Sequence, residues 1–232
     1  TRYNLCMDSN TAARLIELNR EFYTRFGDSF SATRQRIQPG VRRVLERLSG
    51  NESILDLGCG NGELARVLGS RDHRGPYLGV DFSLPLLQEA ESQPDTFSVQ
   101  FMQADLTKLS VIREQLPGPR AWSLITAFAV LHHIPSRALR LDMLHAIHGL
   151  LAPGGSFIHS NWQFLNSEKL KARVQPWDDV AGLGEPDAGD YILDWRSGGA
   201  GLRYVHQYDE AELRELADAT GFTVHETFYS DG

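Results

Sequence analysis

Apolar runs of strand length alternate along this chain with apolar stripes at helical spacing. Ile54, Leu55 and Leu57 form a run of the length and composition of a buried strand, and Leu64, Ala65, Val67 and Leu68 then recur at helical spacing. Tyr77–Asp81, Ser98–Gln103, Trp122–Ala127 and Ser156–Trp162 repeat the strand signal. Helices are expected from near Pro85 and over 137–149, with a turn at Leu151–Gly155. Strands and helices in that order predict a parallel sheet with right-handed crossovers. Ahead of the first strand, 11–26 reads as a helix with Ala13, Ile16, Leu18, Phe22, Tyr23 and Phe26 on a broad apolar side, stopped by Gly27. A second helix runs from about Pro39 to Leu48, with Pro39 in its first turn. After the fifth strand the pattern weakens. Residues 163–200, rich in Gly, Asp and Pro, are too long for an ordinary connection and read as an active-site insertion or lid. The stretches Gly189–Trp195 and Leu202–Tyr208 follow it, then a helix over Glu210–Thr220 and a strand over Phe222–Tyr229.

The turn between the first strand and its helix carries the chemistry. Gly58, Gly60 and Gly62 alternate there, and lost β-carbons let a ligand lie against bare backbone. A dinucleotide site reads G-x-G-x-x-G and takes a pyrophosphate on the helix N-terminus. Here the spacing is G-x-G-x-G with Asp56 just ahead of it, and that carboxylate would repel a pyrophosphate but suit a ligand with an amino group and a sulfonium. Asp81 ends the second strand, 23 residues after Gly58, where a carboxylate can accept both hydroxyl protons of a ribose. Asp105 follows the third. Alone it would be a turn residue; as the third acid at successive strand ends it joins a pattern.

These features together resemble the class I S-adenosylmethionine (SAM) methyltransferases. The resemblance spans about 50–162 and implies an α/β, Rossmann-like fold, its mostly parallel central sheet flanked by helices, with N-terminal cap helices and an insertion after strand five. It further implies cofactor contacts from Asp56, Gly58, Gly60, Asn61 and Gly62, from Asp81 and Phe82, from Asp105 at the adenine amino group, from Leu106, and from Phe128. Arg34 could pair with the SAM carboxylate or a substrate anion, or be a surface arginine on a helix entry. The fourth strand exits beside the transferable methyl, so His132 or His133 could act as a general base or only shape the loop. Four parts are expected: a helical cap over 1–50, a SAM-binding core over 51–162, a substrate-side insertion over 163–208, and a C-terminal helix and strand over 209–232.

Composition adds bounds. No apolar run approaches a membrane span, and the two cysteines, Cys6 and Cys59, make neither a disulfide framework nor a zinc set, so a cytoplasmic setting is expected. The net charge of −7 is uneven: residues 1–50 hold nine Arg and no Lys against five acids, a net +4 that leaves −11 on the rest. That basic segment is either an RNA-facing patch or a solvated helix surface.

The substrate side resembles something narrower. Gly189-Asp190, Trp195, then Arg203-Tyr204-x-His206 before an acidic helix is similar to the methyltransferases that esterify the carboxylate of carboxymethyluridine at the tRNA wobble position. Phe30-Ser-Ala-Thr-Arg34 is similar to their entry segment. Carried over, Asp190, Arg203 and His206, with His132, are the candidate catalytic residues, and Trp195 and Tyr204 would bind substrate by stacking on a base, the alternative being ordinary core packing under the lid. Arg203 and His206 are expected to share one strand face. Asp194 and Val205 depart from the family's pattern, and the acids at 178, 179, 185 and 187 sit poorly with wrapping a polyanion. A small-molecule acceptor, or a SAM-binding subunit without turnover, are the alternatives. That family tends to use a small zinc-binding partner protein, which makes such a partner an expectation here. The resemblance also implies a seventh, antiparallel strand after the sixth, so the native protein is expected to extend past Gly232.

Overall fold

The computed structural model describes residues 7–31, 37–91 and 97–230. Asp8 opens the first helix, α1 (Ser9–Ser31), accepting the Thr11 amide at 2.9 Å and its hydroxyl at 2.6 Å. This helix runs straight through Gly27, the stop expected from the sequence. The glycine costs about 1 kcal/mol against alanine in a helix interior. It lies against Ser83 and Leu86 at the start of α4 (Leu84–Glu91), so tertiary packing carries the helix past it. The second helix, α2, spans Pro39–Leu45, shorter than expected. Arg34 and the segment around it lie outside the described residues.

Five strands form the central sheet: β1 (Ile54–Leu57), β2 (Tyr77–Asp81), β3 (Val99–Gln103), β4 (Trp122–Phe128) and β5 (Leu151–Ser160). Their order is β3-β2-β1-β4-β5, and every pairing is parallel. Helices α3 (Glu63–Gly69), α4, α5 (Leu109–Ile112) and α6 (Arg137–Leu150) fill the crossovers. The first two strands are buried along their whole length, which explains their unbroken apolar reading. The main core packs Leu55, Leu57, Val80, Trp122 and Ile125 against Met143 and Ile147 of α6. The expected turn at Leu151–Gly155 is instead an irregularity within β5: Trp122 pairs with Leu151, and the ladder resumes at Leu124 with Ser156.

The insertion is folded. After α7 (Glu168–Lys171), β6 (Val174–Gln175), β7 (Asp190–Trp195) and β8 (Gly201–His206) make a three-stranded antiparallel sheet. Helix α1 docks on it through Asn19, whose side chain donates to the Tyr204 carbonyl (3.2 Å) and accepts from the Tyr204 amide (2.8 Å). The last helix, α8 (Glu210–Thr220), packs on α6.

The expected strand over Phe222–Tyr229 is absent: the segment forms no ladder. Its side chains reach several elements: Phe222 packs on His148 of α6 and Phe157 of β5, Glu226 pairs with Arg43 of α2 and with Arg47 just beyond it, and the Arg43 guanidinium lies 4.3 Å from the Phe228 ring centroid. Strand formation needs a backbone partner, and this stretch is anchored by side chains instead.

Candidate functional site

The carboxyl ends of β1, β2 and β4 open into a cavity of about 260 Å³, roofed by α1 and the start of α2. Asp56, Gly58, Gly60 and Asn61 line it, as do Asp81, Phe82, Asp105, Leu106 and Phe128. A crevice at the strand ends beside the first βα turn is where open α/β sheets bind ligands. Gly62, from the same turn, does not line it.

The three glycines do different work. All have positive φ: Gly58 74°, Gly60 55° and Gly62 76°. A β-carbon on Gly58 would meet Val130 Cγ2 at 2.3 Å, and one on Gly62 would meet the Ala90 β-carbon at 2.9 Å. A β-carbon on Gly60 would meet nothing within 4 Å. Gly58 and Gly62 serve close packing, and Gly60 leaves bare backbone facing the cavity.

The acids differ in setting as well. Asp56 is buried, accepting from the Tyr77 hydroxyl at 2.6 Å and the Thr126 hydroxyl at 2.7 Å. Burial pushes its carboxyl up to about 6, the two hydroxyls pull it down, and the nearby Asp81 charge adds to the rise. Asp81 accepts the Gly60 amide (2.9 Å) and the Ser83 amide (2.9 Å), which tie the glycine turn to the β2 end; burial raises its carboxyl too. An ionised carboxyl has about four lone-pair sites, so these backbone donors leave room for a ribose hydroxyl. Asp105 caps its own turn through Thr107 and pairs with Arg20 at 3.1 Å. Two buried acids whose charged form a cation would favour, bare glycine backbone, and the apolar faces of Phe82, Leu106 and Phe128 fit the charge and shape of SAM.

The substrate-side candidates fall into two groups on opposite faces of β8. Arg203 and His206 are three residues apart, and a strand alternates every residue, so the expected shared face does not hold. His206 faces Asp190 (Nδ1 to Oδ1, 2.7 Å) and Glu212 of α8 (Nε2 to Oε2, 2.9 Å). Tyr204 donates to the same Asp190 oxygen at 2.6 Å, and Arg140 of α6 stands 3.6 Å from Glu212. His206, Asp190, Tyr204 and Arg140 are all buried, and none lines the cavity. Burial lowers the His206 imidazole and the two carboxylates raise it, for a net rise. The arrangement makes this cluster a clamp joining the small sheet to α6 and α8.

Arg203, 2 % exposed, faces the other way. Its guanidinium lies 4.5 Å from the Trp162 ring, 5.3 Å from Phe22 and 5.6 Å from Trp195, and it hydrogen-bonds Tyr23. Trp195 packs with Phe22 in this box and is not in the cavity wall. His132, fully buried and stacked on Trp162, is also outside it, while His133 lines it. Sequence reasoning missed Tyr23, whose ring sits on the apolar side of α1 and whose hydroxyl meets His133 Nε2 at 2.8 Å. The signal available was one polar tip among the phenylalanines of that stripe. Among the described residues, the arginines at 14, 20, 43 and 47 form ion pairs with Glu21, Glu17, Asp105 and Glu226, the last serving both Arg43 and Arg47.

Residues 30–227 match the family model described as a methyltransferase domain. The chain is 30% identical over 204 residues to a methyltransferase-family protein of Encephalitozoon cuniculi, covering 88% of this chain and 86% of that one. It is 31% identical over 140 residues to an Arabidopsis thaliana tRNA (carboxymethyluridine(34)-5-O)-methyltransferase, covering 60% of this chain and 31% of that one. Among solved structures, the DhpI–SAH complex superposes with a TM-score of 0.59 at 20% identity, over 90% of this chain and 89% of that one. A SAM-dependent methyltransferase of Mesorhizobium loti does so with a TM-score of 0.57 at 25% identity, over 81% of each chain.

Proposed function

The chain belongs to the methyltransferase-domain family with SAM as cofactor, and from that premise we propose that it methylates a carboxylate, that of a carboxymethyl-type wobble uridine in tRNA. One observation carries the carboxylate reading: the Arg203 guanidinium, itself outside the cavity lining, is held in an aromatic box directly behind Tyr23, which lines it. A fixed cation there draws an anionic acceptor toward the transferable methyl. The Arabidopsis relative, named for this reaction, supports the tRNA substrate. The reaction needs little machinery. A carboxylate is ionised at neutral pH, and one of its oxygens attacks the methyl as the C–S bond breaks and its electron pair passes to sulfur. No proton moves, so positioning supplies the catalysis. Asp56, Asp81 and Asp105 hold the cofactor, and Arg203 holds charge at the acceptor end. A small zinc-binding protein as partner belongs to this reading as well.

The test is transfer of labelled methyl from SAM to tRNA bearing carboxymethyluridine, followed by mild alkali. Label that enters RNA and leaves with base supports an ester; label that stays refutes it. A second reading, a small carboxylate metabolite, is favoured by the paired state of the N-terminal arginines. It also accords with 32% identity over 143 residues to a trans-aconitate 2-methyltransferase of Methylobacterium radiotolerans, covering 61% of this chain and 48% of that one. Ester formation on such an acid with none on tRNA would favour it.

A further inference from the structure

Tyr23 brings three elements together at the cavity wall. Its hydroxyl meets His133 Nε2 at 2.8 Å, and His133 Nδ1 faces the Tyr204 carbonyl at 3.2 Å. A carbonyl can only accept, so Nδ1 carries the ring hydrogen, and Nε2 of the neutral ring accepts from the phenol. The Arg203 guanidinium donates to the same phenol oxygen from behind. Tyr23 therefore has its oxygen fixed by a cation and its proton on a neutral imidazole, with its ring edge-to-face against Phe82 and His133. Asn19, one turn earlier on α1, donates to the backbone of both His133 (3.4 Å) and Tyr204 (3.2 Å), which sets the helix in register with both neighbours.

The cavity is electrostatically polarised. Asp56, Asp81 and Asp105 line its floor and suit the cationic cofactor. At the Tyr23 end stands a buried guanidinium. An anion arriving beside the cofactor meets favourable charge at that end, where the Tyr23 phenol lines the cavity.

We propose that Tyr23 is a catalytic residue forming the acceptor subsite: its phenol, polarised by Arg203 and held by His133, binds one oxygen of a carboxylate acceptor and sets the other against the transferable methyl. The assignment rests on the carboxylate reading given above. On acceptor binding the phenol proton turns from the neutral imidazole to the carboxylate, because a charge-assisted hydrogen bond is roughly twice as strong as a neutral one. The Arg203 bond to the phenol oxygen is kept. His133 is a positioning residue, and it acts by holding the phenol in place until the acceptor arrives.

The experiment uses the SAH-loaded protein and two probes, the nucleoside 5-carboxymethyluridine and its uncharged amide, 5-carbamoylmethyluridine, with binding measured by calorimetry. Tyr23→Phe removes one oxygen and keeps the ring. It should weaken the carboxylate probe about 10- to 100-fold, as for loss of a hydrogen bond to a charged group. The amide and SAH affinities should stay within about twofold on the same scale. Equal carboxylate binding by both proteins overturns the subsite, as does a parallel loss of SAH, which would make Tyr23 a cofactor contact. Failure of the wild type to bind the carboxylate probe also overturns it. The tRNA reading is judged apart, by labelled methyl transfer in the wild type. Where transfer occurs, Tyr23→Phe should raise KM for tRNA or lower kcat while KM for SAM holds.

Discussion

Asp56 is kept charged near neutrality at a cost to the apo fold, and that cost can be measured. Burial lifts its carboxyl from 3.8 to about 6. A shift of that size, at 1.36 kcal/mol per unit, corresponds to about 3 kcal/mol favouring the neutral form. A folded value above the unfolded one means that this stabilisation is fully present below pH 3.8 and is lost as pH rises through about 6. In Asp56→Asn one of the Tyr77 and Thr126 hydroxyls keeps donating to the amide oxygen, and the other rotates to accept from the amide nitrogen. The apo variant should then be more stable than wild type at pH 7 by about 1–3 kcal/mol, with a flatter stability profile between about pH 4 and 6. Cofactor binding should run the other way. A sulfonium and an ammonium in the cavity favour the carboxylate, so wild type should release a proton on binding SAM near pH 5.5, and its affinity should fall by up to about tenfold per pH unit below about 6. The variant should bind SAM more weakly at pH 7 and release no proton. Calorimetry in two buffers of different ionisation enthalpy reads the proton, and thermal melts across pH read the stability. A wild-type affinity flat from about pH 5 to 7.5 would refute the reasoning.

The glycine turn separates fold from ligand. Gly62→Ala should cost about 1–3 kcal/mol in urea denaturation from overpacking against Ala90. Gly60→Ala meets open space but keeps a φ of 55°, so it should cost about 1–2 kcal/mol from the left-handed backbone alone and lose SAM binding in calorimetry. Asp81→Ala removes a carboxylate already holding the Gly60 and Ser83 amides, and should weaken SAH binding by about 100-fold or more. His206→Ala strands Asp190 and Glu212 and should cost about 3–5 kcal/mol at pH 6. Because the His206 imidazole is raised in the fold, its contribution is complete below its unfolded value of 6.5 and fades as pH climbs through the folded value. Denaturation at pH 6 and pH 8.5 should therefore show a wild-type decline that the variant lacks.

Where local pattern and burial coincide, the sequence was readable. The buried runs at β1 and β2, the glycine spacing and the acids at strand ends are short-range signals, and the parallel sheet follows from their order. The misses share a cause in contacts distant along the chain. Gly27 is a helix breaker by propensity and an interior residue by its packing on α4. Phe222–Tyr229 has the aromatic and β-branched composition of a strand, yet Glu226 and Phe228 anchor it on Arg43 of α2. Tyr23 was hidden because burial of a ring and use of its hydroxyl leave one signature in sequence.

The two faces of β8 explain why the substrate side is a fixed structure and not a loose lid. One face carries Tyr204 and His206, saturated by Asp190 and Glu212 and buried against α6 and α8. The other carries Arg203 into the aromatic box against α1. A strand pinned on both faces cannot swing without breaking a buried ion pair on one side and uncovering a guanidinium on the other, each costly in a low-dielectric interior. The helix that roofs the cofactor cavity is therefore held by the same strand that supplies its cation. Acceptor selection then rests on geometry set at folding, by the register of α1, β8 and the β4 exit around one phenol.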